Sequence, residues 1–309
     1  MPSWFGIPRC PVNPQEQHRY RVLKALSIEG GDNGACNAGI YLVQSNQSGR
    51  IYVEKRLKQR DVHDGHAGRE VHALKQFRGQ KNLCQIIHWE LQPACIPRIY
   101  LEHYELGALD TLIERYKRRS MLLPQGFLYH TLGELSKALC FCVHGYLPGG
   151  AAPVVWNTIV HRDIKPGNVF LSTRGDGLYP RVVLGDFGCS VSERHIKEGI
   201  ASPLVSRQAP AFAPPEAPSY STRSDVFQVG LVLHCMARLI AVPDYHLVAS
   251  HQAIGTSYPE SLQGVVAEML RRDRKFRPSS QDLPGKVARR TEAMLLRHRQ
   301  EPLRPWAFR

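Results

Sequence analysis

The 309-residue sequence predicts a mixed α+β protein, with strands concentrated at the front and helices behind. Two observations carry that expectation. Apolar residues alternate in short runs between Tyr20 and Leu106, and they recur at helical spacing across most of the chain beyond Leu106. The composition, 43% hydrophobic and 22% charged, is that of an ordinary globular protein. The length allows one large domain or two lobes.

The first strands are read from "YRVLKALSI", "GIYLVQS" and "RIYVEKRL", the last two joined by "NQSG", a plausible hairpin turn. Between the first two lies a glycine-dense stretch, "GGDNGACNAGIYLV", which by itself fits either a phosphate-holding loop or a flexible turn. "AGREVHALKQF" has the spacing of a helix, and "CQIIHWEL" and "RIYLEHYEL" return to strand. Helices are then expected in "LDTLIERYKRRS", "GFLYHTLGELSKALCFCVHGY", "SDVFQVGLVLHCMARLI" and "SLQGVVAEMLRRD". "GYLPGGAAPVVWN" reads as a surface loop. The resulting division is an extended lead-in over 1–18, a β-rich unit over 19–105, a helical unit over 106–285 and a basic helix or tail over 286–309.

No apolar run approaches the roughly 20 residues that cross a bilayer, so no membrane span is expected. The first 20 residues lack the basic and apolar regions of a secretory signal, and the 8 cysteines form no framework spacing. The default expectation is free thiols in a cytoplasmic or nuclear setting. Lysine and arginine number 40 against 27 acidic residues, a net charge of +13 that thickens toward the C-terminus. A solvated helical face and a footprint for an acidic partner both fit that charge. No aromatic-interleaved groove accompanies it, which argues against nucleic acid. His63, His66 and His72 lie in "DVHDGHAGREVH", read as an exposed connection without a complete metal-ligand spacing.

The chemistry concentrates in "IVHRDIKPGNVFL" and "VVLGDFGCSV". Asp163 and Asp186 stand on turns beside short β-like runs, with Lys165 and Asn168 within five positions of the first. Phosphoryl transfer needs such a set, to position an acceptor, hold metal against phosphate oxygens and offset developing charge. Here the sequence resembles the eukaryotic protein kinases, in motif order over nearly the whole chain, and "HRDIKPGNVFL" resembles the NIMA-related kinases in particular.

That resemblance implies a bilobal kinase fold with an antiparallel N-lobe sheet and a helical C-lobe. It implies ATP and Mg²⁺ as ligands and a protein substrate with a Ser or Thr acceptor. By it, Asp163 accepts or orients the acceptor proton, Lys165 reaches the transferring phosphate, and Asn168 and Asp186 hold metal. Lys55 contacts the α- and β-phosphates and Glu70 is its helical partner, the alternative for Glu70 being a surface charge. Leu101 is the expected gatekeeper, and backbone groups from Glu102 to Tyr104 face adenine. Gly34 and Gly39 end the phosphate-covering loop around Cys36, and either Tyr41 or Ile40 roofs adenine. Glu216 is expected to pair with Arg277, and Asp225 to brace the catalytic-loop backbone. Arg162 implies an activation segment ordered by phosphate, with Ser206 and then Ser202 as sites, or these are simply loop serines. Ala209 stands where many such enzymes carry a threonine that helps fix the acceptor. A pseudokinase that binds nucleotide or partners without transfer is the alternative to an active enzyme.

Overall fold

A computed structural model of the protein describes residues 19–28, 38–92, 95–173, 175, 177–202, 208–297 and 300–308. The N-terminal part is a five-stranded antiparallel sheet built from β1 (Tyr20–Ile28), β2 (Gly39–Ser45) and β3 (Ile51–Arg56), followed by β4 (Ile86–Glu90) and β5 (Arg98–Glu102). The order across the sheet is β1-β2-β3-β5-β4. Between β3 and β4 run a short helix α1 (Gln59–His63) and the longer α2 (His66–Gln76). Helix α2 buries Ala67, Glu70, Val71 and Leu74, one stripe at helical spacing, and that stripe turns it toward the sheet. The connection read as an exposed loop is therefore largely helical. His63 and His72 are both exposed, and His72 lies on α2 with its ring 5.4 Å from that of His195.

Past Tyr104 the chain forms β6 (Gly107–Ala108), α3 (Leu109–Lys117) and α4 (Gln125–His144), the last carrying Phe127, Leu128, Leu132 and Leu139 into the core. Short strands follow: β7 (Ile159–Val160), β8 (Val169–Ser172), β9 (Arg181–Leu184) and β10 (Val191–Ser192). Strands β6, β8 and β9 form one small sheet and β7 with β10 another. The remaining helices are α5 (Glu193–Lys197), α6 (Thr222–Arg238), α7 (Tyr245–Ala249), α8 (Glu260–Met269) and α9 (Leu283–Arg297). Helix α6 is enclosed on almost every side, and α4 packs on both α6 and α9. Helix α6 opens on a capping box between Ser221 and Ser224, which satisfies donors that its half-buried N-terminus would otherwise leave orphaned. No helix among the described residues is long and apolar enough to cross a membrane.

The loop 145–157 exposes Val154 and Val155 but is pinned at its end. The Trp156 indole donates to the Cys142 carbonyl at 3.1 Å and packs edge-on against Phe141.

Candidate active site

The cleft between the sheet and the helical part gathers the charged residues singled out in the sequence. Lys55 projects from β3 and donates at 2.7 Å to both Glu70 on α2 and Asp186 after β9. Glu70 is enclosed (3% side-chain exposure) while Asp186 is one-third open to the cleft (33%). Burial would lower the Lys55 ammonium, but the Asp186 and Glu70 carboxylates outweigh it and hold that pKa well above the ordinary value. Burial likewise pushes both carboxyls up. Lys55 overcomes it at Asp186, which falls to about 2, but not at Glu70, which stays raised. Lys55 thus bridges, at equal distance, one enclosed carboxylate and one that faces the open cleft.

Local structure explains why Asp186 points there. Its backbone is left-handed (φ 57°), and the preceding Gly185 lies so close to Phe170 that a Cβ would meet that ring at 2.7 Å. Phe187, fully buried, then packs on Phe77 at 4.9 Å and on His161 at 4.5 Å. His161 accepts from the Asp163 N–H at its Nδ1 (3.2 Å) and donates from Nε2 to the Gly185 carbonyl (2.9 Å). One imidazole therefore joins the two acidic turns. The network assigns its proton to Nε2.

Asp163 is nearly buried and its carboxylate is held from three directions. Lys165 Nζ donates to Oδ2 at 3.0 Å, Asn168 Nδ2 to the same oxygen at 3.2 Å, and the Ala209 N–H to Oδ1 at 2.8 Å. Asn168 Nδ2 also donates to the Asp163 carbonyl at 2.8 Å. With its amide nitrogen so engaged, the Asn168 side-chain oxygen remains as an acceptor. That oxygen and the Asp186 carboxylate are hard donors, of the kind Mg²⁺ takes, so the residues present fit such an ion. Asp225 accepts from the His161 and Arg162 N–H groups at 2.8 and 2.9 Å and so braces the loop from below. Arg162 donates to the carbonyls of Cys189 and Ser202, and burial lowers its guanidinium to about 10.

On the sheet side of the cleft, strand register separates Ile40 from Tyr41. Ile40 lies opposite Lys55 and Leu42 opposite Val53, so these share the cleft face. Tyr41 lies opposite Glu54, with the Arg56 guanidinium over its ring at 3.8 Å, on the other face. Gly39 has φ 134° and a Cβ there would meet the Tyr41 ring at 2.9 Å, so the entry to β2 requires glycine. Gly34 and Cys36 lie outside the described residues, as does Ser206. Leu101 faces Val53 across the β3–β5 pair. Glu102 is bonded to Arg181 at 3.1 Å, and the Tyr104 ring stacks on Phe170. Tyr104 Oη donates to Glu102 at 3.3 Å and accepts from the Gln85 N–H at 3.1 Å.

Two polar side chains that support the site escape a reading of motifs. Gln85 donates to the carbonyls of Phe77, Gln80 and Leu83 and ties the end of α2 to β4. Gln228, fully buried, accepts from the Ile164 N–H beside Asp163. The signal for Gln228 was available: an amide inside the otherwise apolar "VFQVGLVL", one turn after Asp225.

A match to the protein kinase domain covers residues 31–286, most of the chain, and the chain therefore belongs to the protein kinase family. Among curated proteins it is similar to a probable serine/threonine-protein kinase nek2 of Dictyostelium discoideum, 27% identical over 86% of this chain and 62% of that protein. It is also similar to the serine/threonine-protein kinase Nek2 of Homo sapiens (24% identical; 87% of this chain, 59% of that protein). The G2-specific protein kinase fin1 of Schizosaccharomyces pombe is 29% identical over 60% of this chain and 28% of that protein. The chain thus spans less than two thirds of the length of these relatives. A solved structure of the CAK complex from Chaetomium thermophilum bound to ATP-gamma-S matches with TM-score 0.65 and 20% identity, covering 94% of this chain and 95% of that one. The likeness confirms the bilobal fold, an antiparallel sheet above a helical lobe.

Proposed function

We propose that the protein is a serine/threonine kinase that transfers the γ-phosphoryl group of ATP to hydroxyls of a protein substrate. The observation that carries this reading is the convergence of two charged sets on one cleft: Lys55 bonded to Glu70 and Asp186 at 2.7 Å, and Asp163 held by Lys165 and Asn168. In this reading Lys55 binds the α- and β-phosphates, with Glu70 fixing its direction. Asp163 orients the acceptor hydroxyl and takes up its proton, and Lys165 lies beside it to offset charge on the transferring group. Ile40 covers the base, and backbone groups from Glu102 to Tyr104 meet its edge. Asn168 and Asp186 would hold Mg²⁺, which when bound neutralises phosphate charge. Relatives named serine/threonine kinases and the lysine two places after Asp163 support the choice of acceptor.

A labelled-ATP transfer assay on generic protein substrates tests the proposal. Wild type should transfer phosphate, and Asp163→Asn and Asp186→Asn should each lose on the order of 10²-fold or more. Equal background in all three would refute it. One observation favours a second reading, a nucleotide-binding scaffold: Ala209 offers no side-chain hydroxyl beside Asp163, only its N–H. Nucleotide-dependent thermal stabilisation without transfer would select that reading instead.

A further inference from the structure

Helix α6 is enclosed on nearly all sides, and a glutamine in its centre costs folding energy unless each polar atom finds a partner. Gln228 has no exposure, and its amide is engaged at both ends. Its Oε1 accepts the Ile164 N–H at 3.1 Å, and its Nε2 donates to the Arg162 carbonyl at 3.3 Å and to the Phe212 carbonyl at 3.0 Å. The first two contacts grip the chain on either side of Asp163. The third reaches a different segment, the turn Pro210–Phe212.

That turn is tied down at both ends. Its leading residue, Ala209, donates its N–H to Asp163 Oδ1 at 2.8 Å, and its last carbonyl receives the Gln228 amide. The Phe212 N–H closes the turn on the Ala209 carbonyl at 3.0 Å. Asp225, one helical turn before Gln228, also bonds the catalytic loop, through the His161 and Arg162 N–H groups. Gln228 alone of this pair extends to the acceptor side. A glutamine serving only to fill its own hydrogen bonds has no need to span two segments.

We infer that Gln228 is a positioning residue, which locks the turn Pro210–Phe212 to the Asp163 loop and so sets where an acceptor hydroxyl meets Asp163. The inference rests on the proposed kinase activity. It also accounts for Ala209: with no hydroxyl at that position, the link between the two loops runs through a main-chain N–H and the amide of Gln228. Gln228 touches none of Lys55, Glu70 and Asp186, so its loss reaches the nucleotide side only indirectly, through the loop that carries His161 and Asn168.

The test compares the wild-type chain with Gln228→Met, near in size but without N–H donors or a carbonyl oxygen, and Gln228→Glu, which keeps the acceptor and loses both N–H donors. Four quantities are read: kcat and KM for a peptide acceptor, KM for ATP, and amide hydrogen exchange in segments 161–168 and 208–213. A shift of a few tenths of an ångström at the acceptor should lower kcat about ten-fold or more while KM for ATP stays within about two-fold. Exchange in 208–213 should speed up in both variants. A parallel loss on the ATP side, or unchanged exchange in 208–213, would overturn the inference. If Gln228→Met does not fold, Gln228→Glu alone decides by the same measures. A wild type that transfers no phosphate refutes the kinase reading, while the exchange result still decides whether Gln228 ties the loops.

Discussion

The most heavily committed single residue in the helical lobe is Arg277, whose guanidinium has no exposure yet makes two bonds to Glu216, at 2.6 and 2.7 Å. It donates further to the carbonyls of Arg271, Arg272 and Arg223, and it lies over the Phe227 ring. Removing the carboxylate leaves a buried cation without its counter-charge, so Glu216→Gln should cost about 3–5 kcal/mol, measured by chemical denaturation at neutral pH. Burial would raise the Glu216 carboxyl, but the Arg277 and Ser224 hydrogen bonds outweigh it and hold that pKa below its ordinary value of 4.5. A depressed carboxyl stabilises the fold above its unfolded pKa and loses that contribution as pH falls through the folded one. The stability gap between wild type and Glu216→Gln should therefore narrow below about pH 4.5. A gap constant down to pH 3 would show that the ion pair contributes nothing. Both partners were visible as motif residues; the three carbonyls that complete the arginine's shell, two from the adjacent Arg271 and Arg272 and one from Arg223 at the start of α6, were not.

At the scale of elements, α2 couples packing to chemistry, because the stripe that buries Val71, Ala73 and Leu74 also carries Glu70 to Lys55. Leu74→Ala should destabilise the protein by roughly 2–5 kcal/mol through the cavity it leaves. It should also weaken nucleotide binding several-fold, since a helix that shifts takes Glu70 with it. Thermal unfolding and nucleotide titration on the same sample check this; a stability loss with unaltered nucleotide affinity would uncouple packing from the site. The activation-segment helix α5 approaches α2 through the His195 and His72 rings, so the same helix feels the chain that follows Asp186. Helical spacing showed that α2 exists and which face is apolar. It did not show α5, whose five residues bury nothing and depend on the Ser192 hydroxyl accepting the His195 N–H.

At the scale of the molecule, the basic C-terminal stretch is part of the packed lobe. Helix α9 buries Val287 and Met294, and Lys286 and Arg290 both reach Glu268 on α8, at 2.7 and 3.3 Å. The chain then returns to α3. The Arg115 guanidinium donates to the Ala307 carbonyl at 2.7 Å, the Arg304 N–H to the Tyr116 hydroxyl at 3.1 Å, and Trp306 packs against Tyr116. Burying each large apolar side chain contributes about 1.5–3 kcal/mol, so this segment holds a sizeable share of a marginal total. Deleting residues 283–309 should yield aggregated protein or one that lacks a cooperative unfolding transition. A soluble truncated chain that melts at the wild-type temperature would show the segment to be dispensable.

The amino-acid order determined the two-part α+β plan, since alternation and helical periodicity are local, and it placed Lys55, Asp163, Asn168 and Asp186 in a recognisable succession. Periodicity also placed a helix over the span of α6. What it left undecided depends on strand register and long-range contact. Only pairing across β2 and β3 put Ile40 on the face of Lys55 and Tyr41 on the other. Only the packing of α9 against α4 showed that the basic stretch carries a buried apolar stripe, Leu283, Val287 and Met294, while its charges stay at the surface or half-buried. Only the crossing of α6 beneath two loops gave Gln228 its partners 16 and 64 residues away. Period and motif are properties of neighbours along the chain. Side-chain partnership between distant segments is fixed when buried polar groups must find one another in the folded interior.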